Sequence, residues 1–150
     1  MERFFYKKAL DFVSELFENT TDKGGHPYID HLIRVSENLN GDVQKTAGLL
    51  HDVIEDTEYT YDSLIDYGFP KEIISIVDIV SRRNHETYAE FIQRIIDSGN
   101  KCAIELKIAD LNDNMNINRI PNPTEKDFNR IKKRYKPAKE KLLTALSKIN

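Results

Sequence analysis

The chain has 150 residues, of which 39% are hydrophobic and 31% are charged, and this balance excludes a disordered, fibrous or membrane-embedded protein. Its formal net charge of −3 supplies no overall positive field, so we expect neither a nucleic-acid partner nor binding to an anionic membrane. The length suits one domain, and we therefore treat residues 1–150 as a single domain with a single site.

The cellular compartment is predicted from features that the sequence lacks. Its one cysteine cannot form an internal disulfide, and no apolar run approaches the length of a membrane span. The N-terminal segment shows no basic flank, apolar run and small-residue cleavage site of the secretory kind. We therefore expect a cytoplasmic protein, and the sequence does not indicate its oligomeric state.

Helical periodicity of apolar residues predicts the first three elements. The first helix extends from about residue 2 to residue 18, and the second begins at Pro27 and reaches Asn40. Asp42 is placed to cap the third helix, which carries apolar side chains around much of its circumference. The first third of the chain is therefore predicted to be helical.

The rest of the chain is also predicted to be helical. Residues that favour helix N-caps or first helical positions mark four further starts: Thr60, Pro70, Thr87 and Thr124. The isoleucines and valines after Pro70 also fit a strand, but the flanking lysine and glutamate suit a helix, and no turn with a partner strand follows. We therefore expect an all-α fold, a single-domain helical bundle.

The segment LLHDVIEDT places His51 and Asp52 in the middle of the apolar third helix. Burying an ionised carboxylate without compensation is very unfavourable, whereas a divalent cation supplies both charge and coordination. Glu55 follows His51 by four positions, and Asp56 follows Asp52 by four. In a helix each pair lies on one face, about one helical turn of 5 Å apart. The pattern predicts metal ligands beside a general base or acid.

Two residues rarely hold a catalytic metal alone, so other imidazoles and carboxylates among apolar neighbours are of interest. His31 lies one turn before Val35 on the second helix, and Asp110 interrupts an apolar stretch of a later helix. Both residues are predicted to point inward.

Three segments, HPYIDHLIRV, AGLLHDVIEDT and LKIADLNDNM, resemble in this order the HD hydrolase domain of the RelA/SpoT family and its small stand-alone relatives. The resemblance spans about residues 20 to 120 and implies an HD-type helical bundle. It also implies a metal-dependent phosphohydrolase with one divalent metal, usually manganese. The implied ligands are His31, His51, Asp52 and Asp110.

The resemblance also implies roles for residues near the metal. Glu55 and Asp56 would orient or deprotonate the attacking water, and Asn114 would contact a small-molecule nucleotide. The implied leading substrate is a guanosine 3′-pyrophosphate alarmone. The reaction would be hydrolysis of a phosphate ester or pyrophosphate bond, with the metal activating water and polarising the phosphoryl oxygen.

The chain departs from the family pattern at three places. It has Asp22-Lys23 where the family has Arg-Lys, so an arginine that contacts the guanine base is missing, and His26 and Ile117 replace a glutamate and a threonine. Another nucleotide therefore stays open as substrate, such as the 2′-phosphate of NADPH or a nucleoside phosphate. No synthetase region follows within these residues, so alarmone synthesis is not expected.

Local positive charge is available for an anionic substrate. Lys23, Arg82 and Arg83 are predicted to hold phosphates, whereas the basic final helix is expected to be a solvated face. Manganese suits mixed nitrogen and oxygen ligands, although iron, zinc, cobalt or nickel also bind such sets. The alternative from another class is a metal- or nucleotide-binding module without turnover.

Overall fold

In a computed structural model of the chain, residues 4–149 are described. Within these residues the backbone forms ten α-helices, a short 3₁₀ turn at Ile117–Arg119 and a π-helical turn at Ile131–Tyr135. The helices are α1 (Phe4–Leu16), α2 (Tyr28–Glu37), α3 (Gly41–Leu50), α4 (Val53–Asp56), α5 (Tyr61–Tyr67), α6 (Lys71–Ile79), α7 (Tyr88–Asp97), α8 (Lys101–Asn114), α9 (Glu125–Arg130) and α10 (Lys136–Ser147). The predicted start of the first helix, residues 2 and 3, lies outside the described residues.

The all-α prediction is confirmed, since residues 4–149 contain no strand beyond an isolated bridge between Thr21 and Pro27. Helix α3 is central and packs against α1, α2, α6 and α8. A second apolar cluster lies between α7, α8 and α10. Helix α8 therefore borders both clusters, so its polar residues are held in a fixed position relative to α2 and α3. None of the described helices is long and apolar enough to span a membrane.

Three predicted helix starts carry reciprocal capping boxes. Thr60, Thr87 and Thr124 each accept a hydrogen bond from the backbone N–H three residues later, and the side chain at that position accepts one in return. This geometry satisfies two backbone donors that the first turn of a helix leaves free. The segment after Pro70 is helix α6, as predicted.

The predicted role of Asp42 as cap of the third helix is wrong. Asn40 occupies the N-cap position of α3, and no side chain caps that end. The Asp42 carboxylate instead accepts hydrogen bonds from the backbone N–H groups of Phe5 at 3.2 Å and Tyr6 at 3.0 Å. Asp42 therefore satisfies donors of the first turn of α1, a contact between residues 37 positions apart.

We expect Asp42→Ala to lower the free energy of unfolding by about 0.5–2 kcal/mol, because two backbone donors of α1 lose their acceptor. Urea denaturation of the purified protein measures this change. Asp11→Ala, which removes an exposed carboxylate from the same helix, is the control and is expected to have little effect. Equal stability of the two variants would contradict the capping role.

The predicted third helix is interrupted at His51 and Asp52, which were expected in its middle. Helix α3 ends at Leu50, α4 begins at Val53, and His51 and Asp52 form the turn between them. The imidazole Nδ1 of His51 lies 2.6 Å from the carbonyl oxygen of Gly48, the acceptor that a continued helix would offer to the backbone N–H of Asp52. This competition explains why the prediction of an unbroken helix is wrong here.

Candidate metal centre and active site

Three parts of the fold bring the predicted metal ligands together. His31 lies on α2, His51 and Asp52 lie between α3 and α4, and Asp110 lies on α8. The Nε2 atoms of His31 and His51 are 3.1 and 3.2 Å from Asp110 Oδ1, and 3.8 and 3.2 Å from Asp52 Oδ2. Ligand atoms of His31, His51 and Asp52 all lie within 4.8 Å of one another. One small ion can therefore contact ligand atoms of these three residues, and Asp110 Oδ1 lies beside both imidazoles.

The other nitrogen of each imidazole faces an acceptor. His31 Nδ1 lies 2.5 Å from a carboxylate oxygen of Asp113, and His51 Nδ1 lies 2.6 Å from the carbonyl oxygen of Gly48. An ionised carboxylate and a carbonyl can only accept, so each Nδ1 carries a proton. The Nε2 atoms of both imidazoles therefore face the two central carboxylates.

This arrangement fits a divalent cation. Imidazole lone pairs and carboxylate oxygens are all acceptors, so at these distances a proton or a metal ion must lie between them. Burial disfavours protonated imidazole, yet the charges of Asp52 and Asp110 outweigh it and raise the pKa of His51 well above its ordinary value. The same negative charge attracts a cation, and two nitrogens with two oxygens suit a divalent transition metal.

Both central carboxylates are held by further donors. Lys107 donates to Asp110 Oδ2 at 2.9 Å, Asn114 donates to Asp110 Oδ1 at 3.3 Å, and the hydroxyl of Tyr28 donates to Asp52 Oδ2. Burial opposes ionisation of Asp110, but Lys107 and the neighbouring imidazole outweigh it and hold the pKa of Asp110 well below its usual range. The carboxylate of Asp110 therefore stays ionised at neutral pH.

Glu55 and Asp56 lie on the short helix α4, directly after the central pair. Partial burial of their carboxyl groups and the charge of Asp52 raise the pKa of both. A raised pKa suits a carboxylate that takes up a proton during a reaction. Glu55 lines the cavity described next and Asp56 does not, so Glu55 is the better placed of the two.

A cavity of about 540 Å³ has His31, Asp52 and Asp110 in its wall. Three of the four predicted substrate contacts line it as well: Lys23, Arg82 and Asn114. Arg83 does not, because its guanidinium pairs with Asp78 at 3.0 Å and donates to nearby backbone carbonyls. The cavity thus combines the carboxylates of Asp52 and Asp110 with positive charge that could face an anionic ligand.

The structure adds site residues that the sequence analysis did not single out. They are Tyr28, Lys107, Asp113, Arg119, Arg130 and Arg134. The first three lie inside the quoted segments, where a polar residue near a predicted ligand was the available signal. The three arginines lie outside those segments. Arg134 lies in the π-helical turn, which Arg130 precedes, and such turns are frequent at functional sites.

We expect a divalent metal to stabilise the protein, since it binds groups that are brought together only in the folded state. A metal at 100 times its Kd adds about 2.7 kcal/mol to the free energy of unfolding, or about 5–10 °C in Tm for a domain of this size. Thermal unfolding with EDTA and with added Mn²⁺ measures the difference. Equal Tm values under both conditions would contradict a metal site among these residues.

Comparisons with known proteins place this geometry in a wider context. Residues 9–103 match the family model described as HD domain. Two relatives are named guanosine-3′,5′-bis(diphosphate) 3′-pyrophosphohydrolase, one of them as probable. The chain is 38% identical over 85 residues to that of Borreliella burgdorferi, covering 54% of this chain and 13% of the relative. It is 35% identical over 79 residues to the probable enzyme of Synechocystis sp., covering 50% of this chain and 10% of the relative.

A third relative is similar in size. It is the Danio rerio protein named guanosine-3′,5′-bis(diphosphate) 3′-pyrophosphohydrolase MESH1, 28% identical over 116 residues, or 72% of this chain and 64% of the relative. The chain thus spans less than two thirds of each of these relatives. A solved structure, reported for a metazoan orthologue of SpoT that hydrolyses ppGpp, superposes with a TM-score of 0.77 at 20% identity, covering 100% of this chain and 89% of that one. This likeness shows a shared fold.

Proposed function

Since this chain belongs to the HD domain family, we propose that it is a metal-dependent phosphohydrolase that acts on a nucleotide at the centre formed by His31, His51, Asp52 and Asp110. Membership of this family implies a divalent metal. The observation that carries the proposal is the convergence of two imidazole Nε2 atoms and two carboxylates in the wall of a cavity that also carries positive charge. We further propose Mn²⁺ as the metal, because it accepts mixed nitrogen and oxygen ligands.

The leading substrate in this proposal is guanosine 3′,5′-bis(diphosphate), ppGpp. The names of the three relatives support it, and so does the match of their sequences to half or more of this chain. Hydrolysis of the 3′-pyrophosphate would break the bond between phosphorus and the 3′-oxygen of the ribose. The products would be guanosine 5′-diphosphate and pyrophosphate.

The residues of the chain divide the chemical work. When bound, the metal would supply Lewis acidity and a lowered pKa for the attacking water. Glu55 lines the cavity and, as general base, would take the proton that this water loses when it attacks phosphorus. Lys107 donates a hydrogen bond to Asp110, and Tyr28 donates one to Asp52. These two donors would keep both carboxylates oriented during turnover.

Three cavity-lining arginines have no carboxylate partner among the described residues: Arg82, Arg130 and Arg134. The other cavity-lining cations already have one, since Lys23 pairs with Asp127, Lys107 with Asp110, and Arg119 with Asp22. A guanidinium without a carboxylate partner can offer parallel N–H donors to phosphate oxygens. In Arg82, Nε and Nη2 already donate to the backbone carbonyl oxygen of Glu86, which leaves Nη1 for a ligand. These three arginines are therefore the proposed phosphate contacts.

We expect Arg130→Gln to raise KM about 10- to 100-fold, because a charge-assisted hydrogen bond contributes about 1.5–3 kcal/mol. Initial-rate kinetics with ppGpp, compared with the wild-type protein, measures the change in KM. Lys133→Gln is the matched control, since Lys133 is an exposed cation of the neighbouring turn that does not line the cavity. A KM that changes equally in both variants would indicate a general charge effect instead of a contact.

The structure provides one observation in favour of a different nucleotide. Asp22, at the position where the family carries an arginine that contacts the base, is engaged by Arg119 at 2.9 Å and by two backbone N–H groups of its own loop. Position 22 thus carries a carboxylate engaged within the protein, and it supplies no positive charge to a guanine base. NADPH, through its 2′-phosphate, and nucleoside phosphates are the second proposal for the substrate.

A substrate panel tests the proposal. The metal-free protein, supplied with Mn²⁺, is compared on ppGpp, NADPH and nucleoside mono- and triphosphates by kcat/KM. We expect the highest value for ppGpp. A higher value for another nucleotide would replace the substrate and keep the mechanism. Binding of ppGpp without any turnover, unchanged in Glu55→Ala, would favour a binding module and overturn the assignment as an enzyme.

A further inference from the structure

Asp113 connects the metal centre with the rest of α8 and α2. Its side chain is only 10% exposed. One carboxylate oxygen lies 2.5 Å from Nδ1 of His31 and accepts from Arg119 at 2.6 Å, and the other accepts from Arg34 at 2.7 Å. The carboxylate is therefore surrounded by three donor side chains.

These contacts determine what Asp113 can do. Two guanidinium groups keep the carboxylate ionised, so it cannot donate a hydrogen bond to the imidazole and can only accept one from Nδ1–H. A histidine held in this way has one tautomer and one ring orientation, and Nε2 of His31 faces Asp110 and Asp52, with which it would hold a metal. The proposed ligand His31 is thus oriented by a residue 82 positions away in the sequence.

The same network reaches the loop before α2, whose residues 20–24 line the cavity and which we call the cavity loop. Arg119 Nη2 donates to Asp22 Oδ2 at 2.9 Å, and Asp22 Oδ1 accepts from the backbone N–H groups of Gly24 at 2.8 Å and His26 at 3.0 Å. Gly24 also packs so closely on Arg119 that a Cβ atom would lie 2.0 Å from the Arg119 carbonyl oxygen. Arg119 therefore bonds to this loop through its side chain and packs against it with its backbone.

We propose that Asp113 is a positioning residue for His31, and that Arg119 couples it to the cavity loop through Asp22. The inference rests on the metal centre of the proposed function. It predicts that metal affinity depends on Asp113, which is not a ligand in that proposal, and also on Asp22, which lies in the loop on the far side of Arg119.

Titration of the metal-free protein with Co²⁺, followed by its visible absorption spectrum, tests the first part. We expect Asp113→Ala to weaken Co²⁺ binding about 10- to 100-fold and to alter the spectrum. Asp113→Asn keeps an acceptor for Nδ1 and should recover part of the affinity. Circular dichroism and Tm show whether each variant is folded. Wild-type affinity and an unchanged spectrum in Asp113→Ala would overturn the positioning role.

The second part is tested by Asp22→Asn, which weakens the link to Arg119. We expect a loss of Co²⁺ affinity of about 2- to 30-fold, the usual range for a coupled residue. Asp127→Asn is the matched control, because Asp127 also lines the cavity but bonds to neither Arg119 nor His31. Equal affinities in Asp22→Asn and Asp127→Asn would show a charge effect only and would overturn the coupling.

The titration also separates this inference from the proposed function. If the wild-type protein binds no Co²⁺, the proposed metal centre fails and this inference fails with it. If the wild-type protein binds Co²⁺ and the Asp113 and Asp22 variants bind it equally well, only this inference fails.

Discussion

Replacing Asp52 with alanine is expected to lower kcat/KM by about 10³-fold or more and to remove the bound metal. Asp52 Oδ2 lies 3.2 Å from His51 Nε2, as does Asp110 Oδ1, and it has Tyr28 as a hydrogen-bond donor. Without this carboxylate, the attraction that holds the cation falls. A metal held at this site would stabilise the transition state by several kcal/mol, and each 1.4 kcal/mol is about tenfold in rate.

Two measurements check this expectation, namely initial rates with Mn²⁺ and the metal content of the purified variant. Asp66→Ala serves as control, since Asp66 is an exposed carboxylate on α5 that does not line the cavity. It should retain full activity and metal. An Asp52→Ala protein that is folded, contains one metal ion per chain and turns over at the wild-type rate would refute the assigned metal centre.

Glu55→Gln is expected to lower kcat about 10²- to 10⁴-fold while the metal stays bound. The amide has nearly the shape of the carboxylate but cannot take a proton, so the loss measures general-base catalysis. Because Glu55 is not among the proposed ligands, Co²⁺ affinity should change little. Asp56→Asn should have a smaller effect on kcat, since Asp56 does not line the cavity.

The comparison between these two variants decides which carboxylate acts as base. If Asp56→Asn reduces kcat more than Glu55→Gln does, the roles are reversed. If Glu55→Gln loses metal and activity together, Glu55 would be a ligand and not a base.

The sequence was sufficient to predict the fold class and to propose the ligands. Polar residues among apolar neighbours have few explanations, and His51 with Asp52 in an apolar stretch is such a case. Capping residues such as Thr87 and Thr124 marked helix starts because they act on backbone groups within three residues. Interactions between residues that are close in sequence can therefore be predicted without knowledge of the fold.

Contacts between distant parts of the chain were not predictable in this way. Asp113 looks like an ordinary polar residue of α8 until the fold places His31, Arg34 and Arg119 around it. Asp42 suits a local cap by its position, and only the packing of α1 against α3 shows that it binds Phe5 and Tyr6 instead. Side-chain patterns do not encode which distant partner is present.

The sequence also did not show which arginines line the cavity. Arg83 seemed as suitable as Arg82 for binding phosphate, but Asp78 engages it outside the cavity. Arg130 and Arg134 belong to a basic helix whose composition suggests only a solvated face. In the structure Arg130 ends α9 and Arg134 lies in the π-helical turn before α10, so their position in the cavity wall depends on how α10 packs against α7 and α8.

Release of pyrophosphate from ppGpp is the measurement that tests the account most directly. The protein is stripped of metal, and the product is quantified before and after Mn²⁺ is restored, with Asp52→Ala measured in parallel. The account predicts pyrophosphate release that requires Mn²⁺ and is lost in Asp52→Ala. Release that is equal with and without metal, or no release from a folded protein with Mn²⁺ bound, would contradict it.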